Sequence, residues 1–168
     1  MFAIVKQAAT NECGCLYIFI IGVNKSMEII TRDFGTICTS PDEVIEFCQP
    51  ILGFEKETQY VLLGDTEIGN HFSWLQSIDN PELCFVLADP DLVDPNYKAN
   101  IPESVTKIVG STHCECWLIA YIPDNFANAT VNLKSPILIN INTRQAAQVV
   151  LDQKYPIRHP LMENKEEK

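Results

Sequence analysis

The sequence predicts an all-β domain, a small antiparallel β-barrel or barrel-like sandwich of about nine short strands. Three observations carry this. Short apolar runs rich in Val, Ile, Phe, Trp and Tyr recur along the chain. Turn-forming stretches separate them, as at Asp79-Asn80-Pro81-Glu82. No long segment sustains the 3.6-residue period of an amphipathic helix. Closure into a barrel also removes the exposed edges that such strands otherwise leave.

The elements follow in order. Glu28–Arg32 reads as a first strand. Val44–Phe47 follows Thr39-Ser40-Pro41-Asp42, which suits a short strand or a helical turn. Gln59–Leu63 is β-branched and aromatic and is closed by Gly64-Asp65. His71–Ile78 and Leu83–Leu87 make a pair around the 79–82 turn, and Asp89-Pro90 stops the second of them. Residues 89–104 carry Pro90, Pro95 and Pro102 among polar residues and read as a long loop. Val105–Val109, Cys114–Ile122, Ala129–Leu133, Pro136–Ile141 and Ala146–Leu151 complete the strands. From Pro156 onward the chain reads as a frayed polar tail.

At 168 residues and 18.9 kDa, with 46% hydrophobic residues, the chain suits one domain with a real core. That domain is expected over 27–155, with the polar tail over 156–168. Residues 1–26 stand apart. Their apolar run, Leu16–Val23, falls short of the ~20 residues a membrane span needs. Polar residues precede it and Asn24-Lys25-Ser26 is unlike a signal-cleavage site. Met27 is the expected natural start, with an N-terminal extension before it.

The formal charge is −10, from 12 Lys and Arg against 22 Asp and Glu. Its distribution is uneven. Residues 28–94 hold 14 acids and two bases, a net of −12, whereas 95–168 hold seven acids and eight bases, a net of +1. Direct binding to nucleic acid needs cations against phosphates, and an anionic membrane needs the same, so neither is expected. A basic protein is the partner class this charge favours.

The chemistry-bearing patterns are sparse. Phosphate-cradling glycine loops, H-E-x-x-H, C-x-x-C and G-x-S-x-G are all missing from the sequence. His71, His113 and His159 stand far apart. The seven cysteines are odd in number and lie mostly in apolar stretches, unlike a disulfide framework. His113, Cys114 and Cys116 invite a metal reading, but C-x-C spacing is not that of structural zinc, and buried thiols explain the pattern as well. No enzymatic activity, cofactor or metal is expected.

Several strings occur together in one order. His71-Phe72-Ser73-Trp74-Leu75-Gln76-Ser77-Ile78 leads through a turn into Leu83-Cys84-Phe85-Val86-Leu87-Ala88-Asp89-Pro90. Thr130-Val131-Asn132-Leu133-Lys134-Ser135-Pro136 follows, then Gln148–Leu151 and Tyr155-Pro156-Ile157-Arg158. With Phe34-Gly35 and Leu52-Gly53-Phe54-Glu55 upstream, this order resembles the flagellar assembly factor FliW family from about Met27 to His159. It departs from the family's pattern at Cys48-Gln49-Pro50, before Ile51-Leu52-Gly53-Phe54, where a proline directly after the phenylalanine and then a glycine are typical, so this turn is expected to be built differently.

The resemblance implies a small cytoplasmic β-barrel without enzymatic activity. It implies binding to the RNA-binding translational repressor CsrA, whose repression of flagellin synthesis is thereby relieved. It further implies binding to flagellin, which would couple translation to filament assembly. The unbound chain is expected to be a monomer. Trp74, Phe85, Phe54 and Leu133 are expected in the core. The acids Glu55, Glu57, Asp65, Glu67 and Asp79 sit at strand ends and turns and are expected to face the basic partner. Gln76, Ser77, Asn132 and Lys134 are contact or turn candidates, because a polar group in an apolar string must find a partner. A small-ligand-binding barrel, which would need an enclosed apolar cavity, is the alternative.

Overall fold

A computed structural model of the chain describes residues 26–64, 71–110 and 112–162. The strands are β1 (Met27–Thr31), β2 (Gly35–Thr39), β3 (Ile45–Gln49), β4 (Gln59–Gly64), β5 (Phe72–Ser77), β6 (Cys84–Ala88), β7 (Cys114–Tyr121), β8 (Thr130–Val131), β9 (Ile137–Asn140), β10 (Gln145–Gln148) and β11 (His159–Pro160). Two short helices, α1 (Pro90–Val93) and α2 (Glu103–Val109), lie between β6 and β7.

Seven strands close into a barrel in the order β3-β4-β5-β6-β7-β9-β10. Most pairs are antiparallel, but closure comes from β10 lying parallel to β3, with a register shift between Ala146 and Ala147. Such a shift bends a strand and helps a small sheet curl shut. The long strand β7 shares one edge between two partners. Its Cys114–Trp117 half pairs with β9, and Ala120 and Tyr121 pair with β8. The barrel therefore closes while β8 and β11 branch away beyond it. A separate β1–β2 hairpin covers Trp74, whose ring meets Phe34 edge-on at 5.7 Å.

Alternating side chains fill the interior. Ile45, Phe47, Tyr60, Leu75, Leu87, Ile137 and Ile139 are all at most 3% exposed and form one cluster, backed by the half-buried Phe85 and Trp117. The barrel axis is thus occupied by protein, which leaves the small-ligand reading without the enclosed cavity it requires among the described residues. A second cluster lies under the β8–β11 branch and a third under α2.

Three expectations are corrected here. Val105–Val109 is helical rather than extended. Its β-branched composition suggests a strand, but Val105 and Val109 are four apart and both buried, and Gly110 ends the helix at φ 101. The segment from Pro156 is packed where described: His159 and Pro160 pair with β8, and Leu161 is 3% exposed. Gly35–Thr39, not expected as a strand, pairs fully with β1. Residues 1–25 and 163–168, which include most of the N-terminal extension and the end of the tail, lie outside the described residues.

Candidate protein-binding surface

Three turns meet at one end of the barrel, and their meeting is set by strand register. Tyr60 faces Ser77 across β4 and β5, so the entry to β4 and the exit from β5 lie side by side. The Ile78 amide donates to the Gln59 carbonyl at 3.0 Å, and the Ser77 hydroxyl donates to a Glu57 carboxylate oxygen at 3.3 Å. The tip of the β1–β2 hairpin joins them through Arg32, whose amide donates to the Pro81 carbonyl at 3.0 Å.

Gln76 and Ser77 hold the β5–β6 turn from inside, and neither is exposed to solvent. The Gln76 Nε2 lies 3.0 Å from the Ser77 carbonyl and 3.1 Å from that of Leu83, with the Asn80 and Pro81 carbonyls slightly farther. Its two hydrogens serve the nearest two. Ser77 Oγ also accepts from the Asn80 amide at 3.2 Å. These side chains brace the turn, and their burial takes them out of direct reach of a partner in this conformation.

The surface over this brace is acidic. Asp33, Glu55, Glu57, Asp79 and Glu82 decorate the three turns, against Arg32 and Lys56. Arg32 is already occupied by its neighbour Asp33, with contacts of 2.9 and 2.7 Å. That hydrogen-bonded pair raises the guanidinium pKa and lowers that of the Asp33 carboxyl. Glu55 Oε1 accepts from the Gly53 amide at 2.8 Å, which holds its carboxyl below the usual glutamate range. Of the acids expected to face a partner, Glu55, Glu57 and Asp79 come together here. Asp65 and Glu67 lie outside the described residues, between Gly64 and His71, which are at the other end of the β4–β5 pair.

Asn132 and Lys134 lie elsewhere, beyond β8, and are engaged within the chain. Asn132 Oδ1 accepts from the Lys134 and Ser135 amides, both at 3.0 Å, and Lys134 Nζ donates to the Gln153 carbonyl at 2.7 Å. They shape the 132–136 turn.

Phe54 corrects an expectation. Leu133 is core at 3% exposed, and Phe85 packs against the barrel interior, but Phe54 is 39% exposed. It stands edge-on against Phe85 at 5.0 Å, at the end of a turn closed by its own amide donating to the Ile51 carbonyl at 2.9 Å. The third residue of that turn is Gly53 at φ 86, a conformation that glycine adopts readily and a side chain resists. Leu52, 62% exposed, projects from the same turn. The signal for this feature was the Leu52-Gly53-Phe54 string itself, a glycine between two large apolar residues.

Two open clefts of about 360 and 600 Å³ lie elsewhere. One is lined by Asp89, Tyr97, Ile101 and Cys116, the other by Asp42, Glu46, Asn142 and Arg144. Among the described residues, no three His, Cys, Asp or Glu side chains gather as a metal ion would require. No described helix is long and apolar enough to cross a membrane.

The family model described as FliW protein matches residues 28–161. The flagellar assembly factor FliW of Caldanaerobacter subterraneus subsp. tengcongensis is 38% identical over 141 residues, covering 82% of this chain and 94% of that protein. Its counterpart in Thermoanaerobacter pseudethanolicus is equally similar over the same shares, and that of Syntrophus aciditrophicus is 35% identical over 144 residues, 83% of this chain and 90% of that protein. A crystal structure of the flagellar assembly factor FliW superposes with a TM-score of 0.77 at 32% identity, covering 83% of this chain and 99% of the other. The family match takes in the residues of all three turns of the acidic end, and this chain belongs to the FliW family.

Proposed function

We propose that this chain is a cytoplasmic, non-enzymatic regulator of flagellar assembly that works by binding other proteins. Its acidic end receives the CsrA-type RNA-binding repressor and relieves repression of flagellin synthesis. The chain also binds flagellin, so that exchange between the two partners couples translation to filament growth. Relatives bearing the name flagellar assembly factor support the process. The single observation that supports the mode is the gathering of Glu55, Glu57, Asp79 and Glu82 on one braced end against Lys56, where Asp33 and Arg32 are paired with each other. An RNA-binding protein presents cations, so an acidic partner attracts it while repelling its RNA phosphates.

Titration calorimetry of the full chain against the CsrA-type repressor of the same organism, at two salt concentrations, tests this. Binding that weakens with salt, and weakens further on Glu57→Lys or Asp79→Lys, is expected. No binding at either salt would overturn the repressor part and leave flagellin as the partner to measure.

A further inference from the structure

We propose that the Leu52–Phe54 turn is a docking point for the apolar face of a basic amphipathic helix in a partner protein, a proposal that rests on the acidic end being a protein-binding surface. Single exposed apolar residues are ordinary on proteins. This turn differs because it is fixed at every residue. Ile51 is buried at 2% exposure, the Leu52 amide donates to Gln148 Oε1 at 2.8 Å, the Gly53 amide donates to Glu55, and Phe54 rests on Phe85. Leu52 is held out in water by a backbone that cannot fold it back.

The chemistry of the occupant follows from what surrounds the turn. Glu55 is fastened beside Gly53, and Glu57 is tied to Ser77, so two carboxylates stand in set positions next to the apolar tip. A segment with cations flanking its apolar side chains complements both features. A second copy of this chain would bring Glu55 and Glu57 toward their own equivalents, which disfavours a symmetric pair. An added strand is disfavoured too, because β3 is paired on both sides, by β4 and β10, and β4 by β3 and β5. With those backbone edges used, recognition falls to side chains, and a helix presenting apolar anchors at i, i+3 or i+4, and i+7 is the form that suits.

The probe is a labelled 18-residue helical peptide with Leu on one face and Lys on the other, titrated into the full chain and read by fluorescence anisotropy. A second peptide carries Gln in place of Leu. Binding of the Leu/Lys peptide is expected, with the Gln/Lys peptide about tenfold weaker or more. Leu52→Ser should weaken the Leu/Lys peptide about fivefold or more without changing the salt dependence, whereas Glu55→Lys should weaken it and flatten that dependence. Tyr121→Ser, at an equally exposed site elsewhere, should change nothing. Equal binding of the two peptides, or equal effects of Leu52→Ser and Tyr121→Ser, would overturn the proposal. The repressor titration stands apart from this: its failure would overturn the repressor reading while the peptide result held.

Discussion

The Ser77 hydroxyl donates to Glu57 across 3.3 Å and accepts from the Asn80 amide at 3.2 Å, so one buried oxygen joins the β3–β4 connection to the β5–β6 turn. Ser77→Ala removes both links and leaves the Asn80 amide without that acceptor. A loss of about 1–2 kcal/mol in denaturant unfolding is expected. In a double-mutant cycle with Glu57→Ala the two losses should fall short of their sum by about 0.5 kcal/mol or more. Strict additivity would mean that the contact does not join the two segments in solution.

Gln76 supplies the brace under the same turn, and its fully buried Nε2 faces only carbonyl oxygens. Gln76→Glu keeps the shape but places a carboxyl where a donor is needed. The protonated acid can donate to one of those carbonyls, whereas the carboxylate is repelled and desolvated, so the folded-state pKa must rise above the unfolded value of about 4.3. By linkage, the variant comes closest to the parent's stability below that value and falls behind as pH rises through the raised one. Unfolding at pH 4 and pH 7.5 should show a stability gap between variant and parent that widens by about 2 kcal/mol or more toward pH 7.5. A gap independent of pH would show that the carboxyl finds water.

The barrel strands were legible in the sequence because alternating burial leaves a local mark, and β4 through β7 are found within a residue or so of their expected bounds. Closure was not, because it depends on a parallel pairing between residues 98 or 99 positions apart, such as Glu46 and Gln145. The helix α2 was hidden by Val105, Ile108 and Val109, whose branched side chains read as strand until the four-residue spacing of the buried pair is weighed. At the acidic end, the exposure of Glu55 and Asp79 followed from their turns. Their convergence followed only from the Tyr60–Ser77 register. Gln76 and Ser77 are neighbours on β5 and point to opposite faces, yet both are buried, Ser77 across from Tyr60 and Gln76 against the carbonyls of the 77–83 turn, which no property of the string Trp74-Leu75-Gln76-Ser77 announces.

Gly110 and Asn140 show how tightly α2 is fastened to the barrel. Gly110 sits at φ 101, and a methyl group there would stand 2.6 Å from Asn140 Nδ2. That nitrogen donates to the Val109 carbonyl at 2.8 Å, while Asn140 Oδ1 accepts from the Asn142 and Thr143 amides. Gly110→Ala should therefore cost about 2–3 kcal/mol, from the strained backbone together with the displaced amide. Combined with Asn140→Ala, which removes the clashing group, the loss should be smaller than the sum of the two single losses. A Gly110→Ala chain as stable as the parent would mean that α2 is not anchored through this contact.

The cysteines separate by burial. Among the described ones Cys48 alone is exposed, on the outer face of β3 beside Gln145. Burial lifts the Cys84 thiol to about 11 and that of Cys116 to about 12, with Asp33 and Asp89 respectively adding to the effect. A raised thiol pKa means a vanishing thiolate fraction at pH 8, and the thiolate is the reacting species. Brief alkylation of the folded chain at pH 8, followed by peptide mass spectrometry, should modify Cys48 well ahead of Cys84 and Cys116, with the order lost in denaturant. Cys114 donates its thiol to the Gly110 carbonyl at 3.1 Å and should also lag behind Cys48. Fast, paired modification of Cys114 and Cys116 in the native protein would contradict this order and revive the metal reading of His113, Cys114 and Cys116.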